Sequence, residues 1–118
     1  MVDIIVVEKN ASFRSMTVNV LHVSGLHHAL SFTDFRTAEE NIEIHKPKIL
    51  IFHYGKHVED FIQKVGSIYH KGKNPIKITI MEHPTQETVS QAVKLGIKGI
   101  LVRPFSAENL LDLIKKHK

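Results

Sequence analysis

The sequence predicts one α/β domain in which a parallel β-sheet is covered by helices on both faces. Short apolar segments alternate five times with longer segments whose apolar residues recur at helical spacing. Residues 49–52 are four consecutive apolar residues without polar alternation, which is typical of a central strand buried on both faces. The chain has 118 residues, 42% of them hydrophobic and 24% charged, which fits a single globular domain.

Five apolar segments are predicted to form the strands. They cover residues 3–7, 28–32, 48–52, 76–81 and 98–102. The segment at 28–32 is the weakest and is expected near an edge of the sheet. The segment at 48–52 follows Pro47 and stops at His53. Because ligands of an open α/β sheet bind at the carboxyl ends of its strands, the residues that end these segments are the candidate site residues.

A helix is predicted after each strand. The first lies between the N-cap Asn10 and Gly25, and the second and third cover about residues 36–45 and 58–70. The fourth runs from Pro84 to Gly96, and Ser106 caps the fifth. The residues expected to face the core are Phe13, Met16, Thr17, Val20 and Leu21; Ala38, Ile42 and Ile44; Phe61, Ile62, Val65, Ile68 and Tyr69; Val89, Ala92, Val93 and Leu95; Leu110, Leu111, Leu113 and Ile114.

Five consecutive βα units predict a flavodoxin-like (βα)5 three-layer sandwich with the parallel sheet order 2-1-3-4-5. One domain is expected over residues 1–118, since no linker, repeat or low-complexity tract interrupts the alternation. In this order the first and third strands are neighbours, so Glu8, Lys9 and His53 are expected to lie close together. Met81 and Arg103 end the next two strands.

This ordered set of motifs resembles a response-regulator receiver domain over essentially the whole chain. The resemblance implies a CheY-like fold and a role in two-component (phosphorelay) signal transduction. It rests on the apolar strand followed by an acidic residue at Glu8, on Lys46-Pro47-Lys48, on Leu95-Gly96-Ile97-Lys98-Gly99, and on Leu101-Val102-Arg103-Pro104-Phe105, which is similar to the family's ending of a hydrophobic residue, Lys, Pro and Phe.

The resemblance also implies where the family's chemistry would lie. Receivers accept a phosphoryl group on an aspartate that ends the third strand, and they bind Mg²⁺ with that aspartate and an acidic pair after the first strand. A Ser or Thr after the fourth strand and a Lys after the fifth contact the phosphoryl group, and an aromatic residue acts as a switch. In this chain the acidic pair falls on Glu8 and Lys9, the acceptor on His53, the hydroxyl on Met81, the lysine on Arg103 and the switch on Ile100.

These exchanges predict a degenerate site. A Lys9 ammonium near the metal position would repel a cation by roughly 4 kcal/mol per unit charge at about 4 Å and an effective dielectric near 20. Met81 cannot donate a hydrogen bond to a phosphoryl oxygen, and its expected role is packing. Aspartyl phosphorylation at the usual position is therefore excluded. We expect no Mg²⁺, no cofactor and no enzymatic activity.

Several interpretations of the charged residues remain open. His53 is interpreted as a hydrogen-bonded histidine at the rim of the sheet, with a phosphohistidine, a pH-responsive group or a metal ligand as alternatives. Glu8 could pair with either Lys9 or Arg103. Imidazole and carboxylate groups suit Zn²⁺ or Ni²⁺, so the low-ranked metal ligands are Glu8, His53, His57 and His83. The rival function is a metal- or anion-binding sensor that uses Glu8, His53, His83 and Arg103.

The favoured function is a phosphorylation-independent pseudo-receiver that binds a protein partner in a signalling pathway, as a monomer or weak homodimer. Members of the family commonly use the surface of the fourth helix, fifth strand and fifth helix. The resemblance places the candidate contact residues at Glu87, Gln91, Lys94, Lys98, Glu108 and Asp112.

The composition indicates where the protein is expected to act and which partners are not expected. The chain has no cysteine, no apolar run of about 18 residues and no basic leader, so we expect a cytoplasmic protein without a membrane span. The net charge of +4 leaves a basic rim at the helix C-termini. No stacking aromatic residues interleave with these lysines, so nucleic-acid binding is not expected. The lysines are Lys46, Lys71, Lys73, Lys115, Lys116 and Lys118.

Overall fold

The computed structural model describes residues 2–69 and 74–117, in which five strands and five helices alternate as predicted. The strands are β1 Ile4–Val7, β2 Ala29–Phe32, β3 Ile49–His53, β4 Ile76–Met81 and β5 Gly99–Val102. The helices are α1 Ala11–Val23, α2 Phe35–His45, α3 Val58–Ile68, α4 Gln86–Lys94 and α5 Ala107–His117. The predicted end of α3 at residue 70 and the lysines Lys71, Lys73 and Lys118 lie outside the described residues.

All five strands are parallel and follow the predicted order β2-β1-β3-β4-β5. Val7 pairs with Phe52 across β1 and β3, and Met81 pairs with Val102 across β4 and β5. The carboxyl ends of these four strands therefore lie along one side of the sheet, which we call the carboxyl edge. This register brings the residues after β1, β3, β4 and β5 to a common site.

Alternation along the strands divides the core between two helical layers. Ile5, Leu50 and Phe52 pack against α2, α3 and α4, whereas Ile4 and Ile51 pack against α1 and α5. On the first side three aromatic rings meet. Phe61 stacks on Phe35 with ring centroids 4.2 Å apart and meets Phe52 edge-on at 5.4 Å, arrangements that add to the free energy of burial.

Local hydrogen bonds explain where the helices begin. The side chains of Asn10 and Asp34 accept hydrogen bonds from backbone N–H groups in the first turns of α1 and α2. Thr85 and Thr88 form a capping box, so α4 begins after Thr85 and the predicted start at Pro84 is wrong by two residues. Ser106 accepts a hydrogen bond from the N–H of Asn109 at 3.0 Å, which confirms the predicted cap of α5.

Three residues predicted to face the core are exposed. Ile44 is 73% exposed, because it lies two residues after the buried Ile42 and hence about 200° around the helix axis. Val93 is 64% exposed and directly follows the buried Ala92. Met16 is 39% exposed, one residue before the buried Thr17. In each case the neighbouring residue takes the inward position, so the apolar side chain faces outward.

We predict that Phe61→Ala lowers the free energy of unfolding by about 3–5 kcal/mol, because it removes a fully buried ring and leaves a cavity against Phe35 and Phe52. Urea denaturation followed by circular dichroism measures this change. The matched control is Ile44→Ala, which removes an exposed apolar side chain and should change stability by less than about 0.5 kcal/mol. Equal losses in the two variants would contradict the assigned core.

Candidate functional site

A buried carboxylate lies at the centre of the carboxyl edge. Glu8 follows β1 and is only 4% exposed. One carboxylate oxygen, Oε2, accepts a hydrogen bond from the Asn10 N–H at 3.0 Å, and the other, Oε1, accepts one from the Arg103 Nη2. The backbone carbonyl of Glu8 accepts a hydrogen bond from the Arg14 Nη1 at 2.9 Å. Burial of a charge requires a partner of this kind, and Arg103 provides it.

The Arg103 guanidinium fills the space beside this carboxylate. Its side chain is 7% exposed, and Nη1 donates to Oε1 of Glu82 at 3.0 Å. The Arg103 Cζ lies 3.6 Å from the centroid of the Phe13 ring, which is within cation–π range. One cation therefore joins residues that follow β1, β4 and β5 to the first turn of α1.

The ion pair between Glu8 and Arg103 confirms one of the two pairings that the sequence left open. The alternative pairing of Glu8 with Lys9 is wrong, because Lys9 is exposed and Arg103 takes the position beside the carboxylate. A planar guanidinium can bond two carboxylates at once, whereas an ammonium is a point charge. Arg103 uses this property to bridge Glu8 and Glu82.

His53 ends β3 at the same edge, as predicted. Its side chain is 37% exposed, but the Nε2 atom is buried and has no hydrogen-bond partner among the described residues. The nearest carboxylate oxygen, Oε1 of Glu82, is 3.7 Å from Nε2, which is too long for a hydrogen bond. The rim position is confirmed, and the predicted hydrogen bond is absent at Nε2.

Met81 and Ile100 are packing residues. Met81 is buried in the core layer formed with α2, α3 and α4, as predicted. Ile100 is half-buried and packs against the same cluster. Neither side chain has a hydrogen-bond donor, so neither could contact a phosphoryl oxygen through a hydrogen bond.

The low-ranked metal ligands Glu8, His53, His57 and His83 are not brought together. Within residues 2–69 and 74–117, no three His, Asp or Glu side chains form a group that could hold a metal ion. His57 and His83 are exposed, and the Glu8 carboxylate is neutralised by Arg103. The metal sensor built on Glu8, His53, His83 and Arg103 therefore gains no support.

The six candidate partner-contact residues, Glu87, Gln91, Lys94, Lys98, Glu108 and Asp112, are all exposed.

Sequence reasoning missed the contact between the Tyr54 hydroxyl and Gln91. The hydroxyl donates a hydrogen bond to Oε1 of Gln91 and so connects the end of β3 to α4. Burial, together with the charges of Glu59 and Glu87, raises the pKa of Tyr54 above its usual value. A raised pKa favours the protonated phenol, which is the form that donates this hydrogen bond.

A cleft opens beside His53, between the first turns of α2 and α3. Its volume is about 610 Å³. Sequence reasoning had placed three of its lining residues, Lys9, His53 and His57, among the site residues but did not predict a cavity. The complete lining is Val7, Lys9, Thr33, Asp34, Phe35, Arg36, Glu39, His53, Gly55, Lys56, His57, Asp60 and Phe61.

No helix in the described part of the chain is long and apolar enough to span a membrane.

Comparisons with known proteins bear on the fold. No protein-family model matches the sequence, and no curated protein matches it in a sequence search. Solved structures do match. The chemotaxis response regulator CheY4 of Vibrio cholerae is 22% identical, with a TM-score of 0.83 and coverage of 98% of each chain.

Two further solved structures also combine a low sequence identity with a high TM-score. An orphan response regulator of H. pylori is 18% identical, with a TM-score of 0.82 over 98% of this chain and 94% of that one. A CheY-like receiver domain protein of Methanospirillum hungatei is 15% identical, with a TM-score of 0.79 over 99% and 93%. Identities this low show the fold alone. The chain therefore has the fold of CheY-like receiver domains over its length.

We predict that Glu8→Gln lowers the free energy of unfolding by about 3 kcal/mol, because it leaves the Arg103 guanidinium buried beside a neutral group. In a double-mutant cycle with Arg103→Gln, the coupling energy should be about 1–3 kcal/mol. Urea denaturation of the four proteins measures it.

The matched control is Lys9→Gln, which neutralises the exposed neighbour and should change stability by less than about 0.5 kcal/mol. Additive effects of Glu8→Gln and Arg103→Gln would show that the ion pair does not form.

Proposed function

From the receiver fold and the residues at its carboxyl edge, we propose that this protein is a phosphorylation-independent receiver-like module that binds a protein partner in two-component-type signalling. The observation that carries the proposal is the buried ion pair between Glu8 and Arg103. It lies where a receiver would gather carboxylates around Mg²⁺. We also propose that the protein acts in the cytoplasm and that it has no catalytic residue.

The chemistry of the edge argues against a phosphoryl switch. An acyl phosphate requires a carboxylate, and His53 offers an imidazole. Mg²⁺ prefers several oxygen ligands in octahedral geometry, whereas Glu8 is one carboxylate with a guanidinium already bonded to it. A metal ion would have to displace Arg103 from both Glu8 and Glu82. The hydroxyl that would hold the phosphoryl group is replaced by the buried Met81.

The same residues support a fixed conformation. Arg103 connects the ends of β1 and β4 and packs on Phe13 of α1. In a phosphorylated receiver, part of this connection would come from the Mg²⁺ ion and the phosphoryl group, which are not permanent parts of the chain. Here every group belongs to the chain, so the carboxyl edge is held together without an added ligand. A fixed edge favours a module that is regulated by the availability of its partner.

The surface on α4, β5 and α5 is the proposed contact region. Its candidate residues carry both signs of charge and are exposed. Two exposed valines lie on the same elements, Val93 on α4 at 64% exposure and Val102 on β5 at 47%. Exposed apolar side chains among charged ones are typical of the centre and rim of a protein–protein interface. A protein partner therefore fits this surface better than nucleic acid does.

Incubation with acetyl phosphate and Mg²⁺, followed by intact-mass spectrometry, should leave the mass of the wild-type protein unchanged, because no carboxylate occupies the acceptor position. His53→Ala serves as the matched control for modification of the imidazole. Addition of one phosphoryl mass that disappears in His53→Ala would refute the claim of phosphorylation independence.

For the contact surface, we predict that Val93→Asp weakens binding to a partner isolated by affinity capture by at least about tenfold, because it places a charge at the apolar part of the interface. Val23→Asp is the matched control, since Val23 is 85% exposed on α1, away from α4. Isothermal titration calorimetry compares the variants. Retained binding in Val93→Asp with loss in Val23→Asp would place the interface on α1 instead.

A further inference from the structure

The strand β5 forms an outer edge of the sheet, because β4 is its one neighbour among the described strands. The N–H of Arg103 donates to the carbonyl of Met81 on the β4 side at 2.9 Å. Since successive residues of a strand turn their backbone groups to opposite sides, the N–H and C=O groups of Val102 and Ile100 point away from β4. No described residue outside the sheet forms a backbone hydrogen bond with them. These groups are therefore free to pair with another strand.

The edge at β5 lacks the protection that outer strands commonly have. Charged side chains, prolines and bulges usually shield a sheet edge from pairing with other chains. The strand Gly99–Val102 contains no charged residue and no proline, and Val102 is 47% exposed. The opposite outer strand, β2, has no exposed side chain. The β5 edge therefore presents apolar surface beside its free backbone groups, and the β2 edge does not present an exposed side chain.

A small groove opens beside this edge, and we call it the β5 groove. It is lined by Ile100, Leu101, Val102, Phe105, Asn109 and Leu113. Its volume is about 260 Å³, below the roughly 300–1,000 Å³ that small-molecule sites occupy. The half-buried Phe105 and Leu113 pack against the core and give the groove a firm apolar wall. The groove therefore suits a side chain of a longer ligand better than a whole organic molecule.

Two acids of α5 lie at the outer rim of the β5 groove. Asn109 and Leu113 line the groove one helical turn apart. Each follows an exposed acid, Glu108 or Asp112, and precedes a buried residue of the core. The groove-lining side of α5 is therefore bordered by the core on one side and by the two carboxylates on the other. Within the described residues neither carboxylate forms an ion pair, so a cation on a ligand would complement them.

We propose that β5 binds an extended segment of a protein partner as an added strand, with an apolar side chain in the β5 groove and a basic side chain beside Glu108 and Asp112. Side chains two residues apart lie on the same face of a strand, so the segment carries a basic residue two positions from the apolar one. Backbone pairing gives such a complex its affinity, and the pockets for alternate side chains give it specificity. This inference rests on the proposed contact region of α4, β5 and α5, and it specifies the form and the charge of the partner.

The test uses a short acetylated and amidated peptide with a central valine, a lysine two residues to either side, and threonine at the other positions. Titrated into ¹⁵N-labelled protein, it should give saturable amide shifts at Ile100 and Val102, with a dissociation constant of about 0.01–1 mM. Two further peptides carry N-methyl groups on alternate residues, one in each of the two frames. Because every second N–H of an added strand points toward β5, one frame should weaken binding at least about tenfold and the other less than about threefold. Absence of saturable shifts, or equal effects of the two frames, would overturn the proposal.

Variants of the protein test the same contact from the other side. Val102→Pro removes an N–H that faces away from β4, which an outer strand tolerates, and it should weaken peptide binding at least about tenfold. Val102→Thr is the matched control, since it keeps the N–H and the branched shape, and it should weaken binding less than about threefold. Circular dichroism establishes that both variants are folded, and if Val102→Pro is not, the methylated peptides decide the question. Equal binding by two folded variants would contradict strand addition.

The rim acids are tested with charge changes. Asp112→Asn should weaken peptide binding about two- to fivefold, whereas Glu43→Gln, which removes an exposed acid of α2, should not. A peptide with glutamates in place of its lysines should bind at least about fivefold more weakly than the lysine peptide. Equal or tighter binding of the glutamate peptide would overturn the basic character of the partner segment.

This inference and the proposed function can fail separately. A captured partner that depends on Val93 but is not displaced by the lysine peptide would support the proposed contact region and overturn strand addition at β5. Peptide binding that depends on the methylation frame, together with a phosphoryl adduct in the acetyl phosphate experiment, would support strand addition and overturn phosphorylation independence.

Discussion

The buried carboxylate of Glu8 sets the arrangement of the carboxyl edge. A carboxylate that is 4% exposed is stable in its charged form only with close donors, and it has the Asn10 N–H and the Arg103 guanidinium. The remaining contacts of Arg103 follow from this one. Held by Glu8, the guanidinium also bonds to Glu82 and covers Phe13. One cation thus links the side chains that follow β1 and β4 to the end of β5 and to α1.

This arrangement connects the carboxyl edge to the proposed contact surface. His53 lies beside Glu82, and the next residue, Tyr54, donates a hydrogen bond to Gln91 on α4. A chain of contacts therefore leads from the buried ion pair to the exposed face of α4. In a switchable receiver such a route would have two arrangements. Under the proposed function this route keeps one arrangement, because its contacts are made by side chains of the protein.

The fold could be predicted from sequence because its signals are local. Apolar runs such as residues 49–52, caps such as Asn10 and Ser106, and the alternation of strands and helices lie within a few residues of one another. The site could be predicted only in part. Glu8 and Arg103 are 95 residues apart, so their pairing depends on the sheet register and on the reach of each side chain. The cleft depends on how α2 and α3 pack, and no local pattern encodes that packing.

The most direct measurement of the central claim is a crystal structure grown in magnesium chloride. The account predicts that the Arg103 guanidinium remains between Glu8 and Glu82, above the Phe13 ring, and that no metal ion is bound at Glu8. An Arg103 side chain turned toward solvent, with Mg²⁺ coordinated by the Glu8 carboxylate, would contradict it. That result would mean that the ion pair is exchangeable and that the edge still works as a metal site.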